Sequence, residues 1–333
     1  MKILSVGDSE ANYLAKYHEA FRTGLRRMYN CRMFGKDYPG HEPSLDNYQD
    51  IISYSCPDGP PDLLLVACDH DSSIRQKGVV PYNFKLKGLE KINIPKCMVL
   101  SDFWNITEYC QQEYLQWLDY YGITKVLVYY PHMRDLYYTG RDADRFEYLP
   151  PCFDPELFNS WSCEKEFDVG FLGGGVADRD DFYPERYAIH SRLKSLPGIS
   201  YLFKPHPGWG KHDAGHSYVG LGFSRTINSC RLFVTTGGMY NCPYPKYVEI
   251  LASKSCLLAI EPLGHQALGL VDGVNYVKIT PDDVLDKVNF YLAHPDKAEQ
   301  IAEAGYQTAM QLHTSYARAL DFQKVANRIV GES

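Results

Sequence analysis

The chain has 333 residues, of which 45% are hydrophobic and 23% charged, with a net charge of −7. This length suits two domains of about 150 residues, each able to bury its own core. The acidic balance argues against a nucleic-acid partner, and no apolar run reaches the ~18 residues of a membrane-spanning helix.

The opening residues, MKILSVGDSE, turn polar too soon for a secretion signal and read as a first strand, Lys2–Val6. A helix is expected over Asn12–Tyr29. It carries Arg22, Arg26 and Arg27, with Arg32 just past it. This cluster reads as a solvated face, with peripheral contact to an anionic membrane or acceptor as the alternative. Further strands are expected at Leu63–Ala67, Lys96–Leu100 and Lys125–Tyr129, with helices at Leu45–Ser53 and Ile106–Tyr121. Short continuous apolar runs alternating with helices imply a parallel sheet covered on both faces.

Adjacent prolines in Glu147-Tyr-Leu-Pro-Pro-Cys-Phe-Asp154 stop regular structure, so a linker is placed there, running to about Glu166. A second α/β pattern follows, with strands at Phe167–Phe171, Ile199–Phe203, Leu232–Val234, Cys256–Ile260 and Asn275–Ile279. A helix is expected over Arg186–Ser195 and a final one over about Tyr316–Ile329. The ten cysteines form no CxxC pair, and several (Cys68, Cys97, Cys256) sit in apolar runs. They read as reduced thiols of a cytoplasmic protein, and no zinc site is expected. The 27 tyrosines are mostly core and rim residues, although flat rings bearing a hydroxyl also suit carbohydrate contact.

In doubly wound sheets, ligands collect at the carboxyl ends of the strands. In the second half these positions hold Gly173-Gly-Gly175, Lys204-Pro-His206-Pro and Thr235-Thr236-Gly237-Gly-Met-Tyr-Asn241, then Gly264 and His265. Glycines let backbone approach a phosphate, and flanking prolines hold Lys204 and His206 in place for an anion. In the first half they hold Asp8, Asp69-His70-Asp71, Asp102 and His132. Any of Asp8, His70, Asp102 and His132 could serve as a general base, or simply as a turn residue. Asp69 and Asp71 also have the spacing of a carboxylate pair that holds Mn²⁺ or Mg²⁺ beside a diphosphate.

The segment PYPKYVEILASKSCLLAIEP (Pro243–Pro262), the run that follows it to Phe322 and the Lys-Pro-His-Pro motif together resemble the donor half of GT-B glycosyltransferases, most closely the CgeB-like branch. The resemblance spans Phe167–Phe322. It implies an α/β protein of two Rossmann-like doubly wound domains facing across a cleft. Residues 1–150 would bind the acceptor and residues 151–315 a nucleotide-sugar, while a helix over 316–333 would pack back on the first domain.

The family's Phe-Glu-x-x-Ala-x-Gly corresponds to Val248-Glu249-Ile-Leu-Ala-Ser-Lys254, with Glu249 expected to open its helix and hold ribose hydroxyls. Asn241 stands where the family has an earlier Glu. Donor contacts are implied for Gly173, Gly174, Arg186, Lys204, His206, Thr236, Gly237, Lys246, Tyr247 and Glu249, with catalytic roles for Asp8, Asp102, His132 and Lys204. His313-Thr314 and Arg318 resemble a family ending that ties the last helix to the core. The implied reaction moves a sugar from a nucleotide-sugar co-substrate to a glycan, lipid-linked or protein acceptor, with no metal and no cofactor. No oligomeric state is implied. The alternatives are a GT-A-like metal-dependent transferase using Asp69 and Asp71, and a non-catalytic nucleotide- or glycan-binding module.

Overall fold

The computed structural model describes residues 1–9, 17–68, 86–100, 108–131, 140–174, 183–206, 212–213, 216–238 and 241–331. The chain divides into two compact units. The first is Met1–Glu10, Phe21–Leu149 and Arg318–Ser333, and the second is Ala11–Ala20 and Pro150–Ala317.

The first unit is built on a six-stranded sheet of β1 (Lys2–Val6), β2 (Asn30–Phe34), β3 (Leu63–Cys68), β4 (Lys96–Leu100), β5 (Ile123–Val128) and β6 (Phe146–Tyr148). All pairs are parallel, in the order β2-β1-β3-β4-β5-β6. Helices α1 (Tyr17–Met28), α2 (Tyr48–Ser55) and α3 (Glu108–Tyr121) connect the strands. The apolar runs behave as two-sided strands should, with Ile3, Leu4, Leu63, Leu64, Leu65 and Val126 all fully buried. Asn47 starts α2 by accepting a hydrogen bond from the Asp50 amide through its side chain, at 3.0 Å.

Two strands are additional to those read from the sequence. β2 and β6 lie at the two edges of the sheet, and β2 is only partly buried, so neither needs the continuous apolar run that marks a central strand. Glu147 and Tyr148, read above as the start of the linker, lie in β6. The basic cluster is also not one solvated face. Arg26 and Arg27 are exposed, but Arg22 is buried and donates to the Asp8 carbonyl at 2.6 Å. Arg32 lies in β2 and pairs with Asp58 at 3.1 Å.

The second unit has a five-stranded parallel sheet of β7 (Phe167–Gly173), β8 (Tyr201–Pro205), β9 (Cys230–Thr235), β10 (Cys256–Ala259) and β11 (Val277–Lys278), in the order β11-β10-β9-β7-β8. Its helices are α4 (Pro184–Ser195), α5 (Gly220–Asn228), α6 (Pro245–Ala252), α7 (Val284–Ala293) and α8 (Pro295–Leu312), and α9 (Ser315–Gly331) follows. Alternation along the strands feeds two cores. Val169, Phe171, Leu232 and Val234 pack with α4, α7 and part of α8, while Leu172, Phe233 and Leu257 pack with α5 and α6.

The residues from Pro150 onward are tied to this unit rather than left as a loose linker. Phe153 exchanges backbone hydrogen bonds with His313 (3.1 Å) and Ser315 (2.8 Å), and the Trp161 indole donates to Ser224 Oγ at 2.9 Å. The buried His313 ring meets the Leu268 carbonyl at 3.0 Å, and Thr314 Oγ1 caps α9 by accepting from the Ala317 amide.

Both sheets share one wiring rule. The second strand lies outside the first, and the chain then crosses to the other side, so winding reverses between β1 and β3 and again between β7 and β9. Outside the carboxyl ends of such a pair lies the natural ligand position of an open α/β sheet. No described helix is long and apolar enough to cross a membrane, and the eight cysteines whose side chains are described are free thiols.

Candidate active site

At the β7/β9 reversal, two cations converge on one glycine. Pro184 opens α4 and fixes its first turn. This places Arg186, only 4% exposed, above the ends of β7 and β9. Its Nε donates to Thr236 Oγ1 (3.1 Å), its Nη2 to the Thr236 carbonyl (3.4 Å) and its Nη1 to the Gly174 carbonyl (2.7 Å). The guanidinium carbon stands 3.7 Å from the centre of the Tyr183 ring, a cation–π distance. A second proline, Pro245, opens α6 and presents Lys246 in its first turn. The Lys246 ammonium donates to the Leu172 carbonyl at 2.7 Å.

A Cβ on Gly173 would stand 3.2 Å from Arg186 Nη1 and 3.3 Å from Lys246 Nζ. Gly173 is therefore the residue that lets both charges approach the strand end. The next residue, Gly174, gives the same room to His206 at the end of the neighbouring strand β8, whose Cβ would lie 3.1 Å from a Cβ added there.

The electrostatics follow from this crowding. Burial, then the charge of Arg186, pulls Lys246 down from the usual lysine range to about 7, with Glu249 one turn further along α6 acting in the opposite direction. Burial lowers Arg186 as well. His206 is lowered first by burial and then by Lys246, Arg186 and His212. Among the described residues neither Arg186 nor Lys246 forms an ion pair with a carboxylate. The end of β7 thus holds two crowded cations, Arg186 buried and Lys246 half-buried, with Glu249 acting on Lys246 but not in ion-pair contact, and such a site favours an anion.

Of the residues implicated by the sequence, Gly173, Gly174, Arg186, His206, Thr236 and Lys246 meet here, and Glu249 stands beside them on α6. Gly237 follows Thr236 in a turn so tight that a Cβ would meet Asn241 backbone at 2.5 Å. Asn241 has a left-handed φ of 46, a conformation that Asn tolerates far better than Glu.

Two expectations are corrected in detail, and a third residue is given its place. Tyr247 is fully buried, with its hydroxyl donating to the Ile260 carbonyl at 2.8 Å, so it is a core residue of α6. Glu249 does not open its helix, because Pro245 does and Glu249 lies in the second turn. Lys204 points its ammonium at Ser217 Oγ, 3.0 Å away in the segment after β8.

In the first unit, Asp8 follows β1 and is exposed, and one carboxylate oxygen accepts from the Lys36 amide at 2.9 Å. Asp69, His70, Asp71, Asp102, His132 and Gly175 lie outside the described residues. No cluster of metal-ligating side chains occurs among the described residues. Sequence reasoning missed Tyr183. Its one available signal was an aromatic residue three positions before Arg186 with a proline between them.

Comparison with known proteins accords with this geometry. Residues 186–324, less than half the chain, match the family model described as glycosyl transferase-like. No curated protein matches the chain. Among solved structures, a glycosyltransferase from Rickettsia africae ESF-5 superposes over 100% of this chain and 99% of its own, at 10% identity and a TM-score of 0.64. Anabaena Alr3699/HepE in complex with UDP-glucose covers 98% of this chain and 100% of its own, at 12% identity and a TM-score of 0.62. Sucrose-phosphate synthase from Thermosynechococcus elongatus covers 100% of both chains, at 12% identity and a TM-score of 0.59. The fold is GT-B, two parallel sheets flanked by helices. With its glycosyl transferase-like domain, the chain is an enzyme, a glycosyltransferase.

Proposed function

We propose that the chain transfers a sugar from a nucleotide-sugar to a glycan, lipid-linked or protein acceptor, without a metal, as a cytoplasmic enzyme of the CgeB-like type. The observation carrying this reading is the convergence of buried Arg186 and half-buried Lys246 at the end of β7, with no carboxylate in ion-pair contact among the described residues. When the anomeric C–O bond breaks, its electron pair passes to a phosphate oxygen, and cations already fixed at that point lower the barrier without reorganising. The acceptor oxygen forms the new bond to the anomeric carbon and gives up its proton to a base or to the departing phosphate. Glu249 is the candidate for the ribose hydroxyls. Asp8 is the candidate base among the described residues, with Asp102 and His132 beside it from the sequence. UDP is the first nucleotide to test, because a GT-B protein of similar fold has been solved with UDP and with UDP-glucose.

A thermal-shift screen of UDP-, GDP-, TDP- and CMP-sugars tests the donor assignment, because a ligand that binds only the native state raises the melting temperature. Turnover of the best donor with and without EDTA then tests metal independence. No shift with any nucleotide-sugar refutes the donor assignment, and activity lost to EDTA and restored by Mn²⁺ refutes the metal-free reading.

A further inference from the structure

Arg186 is held more closely than a phosphate contact alone requires. A guanidinium has five N–H donors arranged in a rigid plane. Here the edge formed by Nε and Nη2 goes entirely to one residue, Thr236, through its hydroxyl and its carbonyl. Nη1 is steered by the Gly174 carbonyl toward the same point as Lys246 Nζ. The flat face of the group lies over Tyr183 at 3.7 Å. Local sequence enforces the stacking. Tyr183 is the residue before the first turn of α4, Pro184 fixes that turn, and the Arg186 amide bonds back to the Tyr183 carbonyl at 3.0 Å, bringing the two side chains together.

We propose that Thr236 and Tyr183 are positioning residues for Arg186. Thr236 clamps one edge of the guanidinium, Tyr183 supports its face, and together they leave the remaining N–H groups of Nη1 and Nη2 for the phosphate of the donor. The inference rests on the donor reading above and adds to it that the direction of the Arg186 guanidinium is set by these two neighbours. Without the clamp, the long side chain has other rotamers open to it, and the ordering is then lost from the binding free energy.

The test uses the full chain and whichever of UDP, GDP, TDP or CMP the wild type binds most tightly, with the dissociation constant measured by calorimetry. Thr236→Val and Tyr183→Leu are each expected to weaken binding about 5- to 20-fold, the size of one lost charge-assisted hydrogen bond or ring contact. Thr236→Ser, which keeps the hydroxyl, is expected to stay within about twofold of wild type, and Tyr183→Phe, which keeps the ring but loses the hydroxyl bonded to the guanidinium, is expected to lose less than Tyr183→Leu. The decisive measurement repeats Thr236→Val and Tyr183→Leu in an Arg186→Met background. Residues that act only through Arg186 then have no further effect.

Losses that simply add in that background overturn the positioning role while leaving the donor reading in place, as does wild-type-like affinity in both Thr236→Val and Tyr183→Leu. A wild type that binds none of the four nucleotides overturns both.

Discussion

The Lys246 ammonium should make nucleotide binding fall as pH rises through neutrality. Its proton is held at about 7 because burial and Arg186 both oppose the charge. A phosphate beside Nζ favours the charged form, so the bound state keeps the proton that the free state loses. The sign follows directly. The ammonium form is largely present below pH 7 and disappears above it, so affinity is lost with increasing pH. If only the ammonium form binds, the dissociation constant rises about tenfold, or about 1.4 kcal/mol, per pH unit well above 7, and about 50-fold between pH 7 and pH 9.

The other titratable groups facing this point do not mimic the effect. His206 is lowered from the usual histidine range, so in the free protein it gives up its proton before Lys246 does, and it is unchanged in the Lys246→Arg control below. Burial pushes Tyr247 well above the usual tyrosine range, and a nucleotide's terminal phosphate is essentially fully ionised above about pH 7. Calorimetry with the preferred nucleotide at pH 7, 8 and 9, at constant ionic strength, measures the slope. Lys246→Arg, which stays charged throughout, should flatten it. A dissociation constant constant across the range, or the same slope in Lys246→Arg, would refute the reasoning.

Four further outcomes follow from the same geometry. Lys246→Met should stabilise the ligand-free chain by about 1–2 kcal/mol, because it removes a half-buried cation crowded by another; urea unfolding that shows a loss instead would count against a net repulsion at this point. Gly173→Ala places a methyl at 3.2 Å and 3.3 Å from the two cationic nitrogens, and a displacement costing about 1–2 kcal/mol should weaken nucleotide binding about tenfold. Glu249→Ala should weaken nucleotide binding with a change in unfolding free energy within about 0.5 kcal/mol, since Glu249 is only partly buried; unchanged affinity would remove it from the site. His313→Ala leaves the Leu268 carbonyl without its 3.0 Å partner and should cost about 1–3 kcal/mol in chemical denaturation, with nucleotide affinity unaltered.

Much of the second unit could be read from its residues, and the exceptions have physical causes. The central strands announce themselves because a strand covered on both faces must be apolar throughout. β1 and β4 have the very bounds expected from the sequence. The edge strands β2 and β6 carry no such constraint. Helix α5 was passed over because GLGFSRTIN opens with two glycines in three residues, poor helix formers; what holds it is the burial of Phe223 and Ile227. Arg186, Lys246 and the glycines were legible as candidates because they follow strand ends, yet nothing in the sequence marks Arg186 as buried. Tyr247 was misassigned for a geometric reason. Residues 246 and 249 share a face of α6 by their spacing of three, so the residue between them points elsewhere, here into the core.

The backbone bridge between Phe153 and Thr314 means that the stretch Pro150–Ala317 starts and finishes at adjacent places. Joining those two points would take only a few residues and little loop entropy. New ends could then be opened in an exposed turn such as that around Gly273, where an added methyl would meet nothing within 4 Å. The second unit is in this sense already close to a ring, and circular permutation is the engineering route that its own hydrogen bonds leave open.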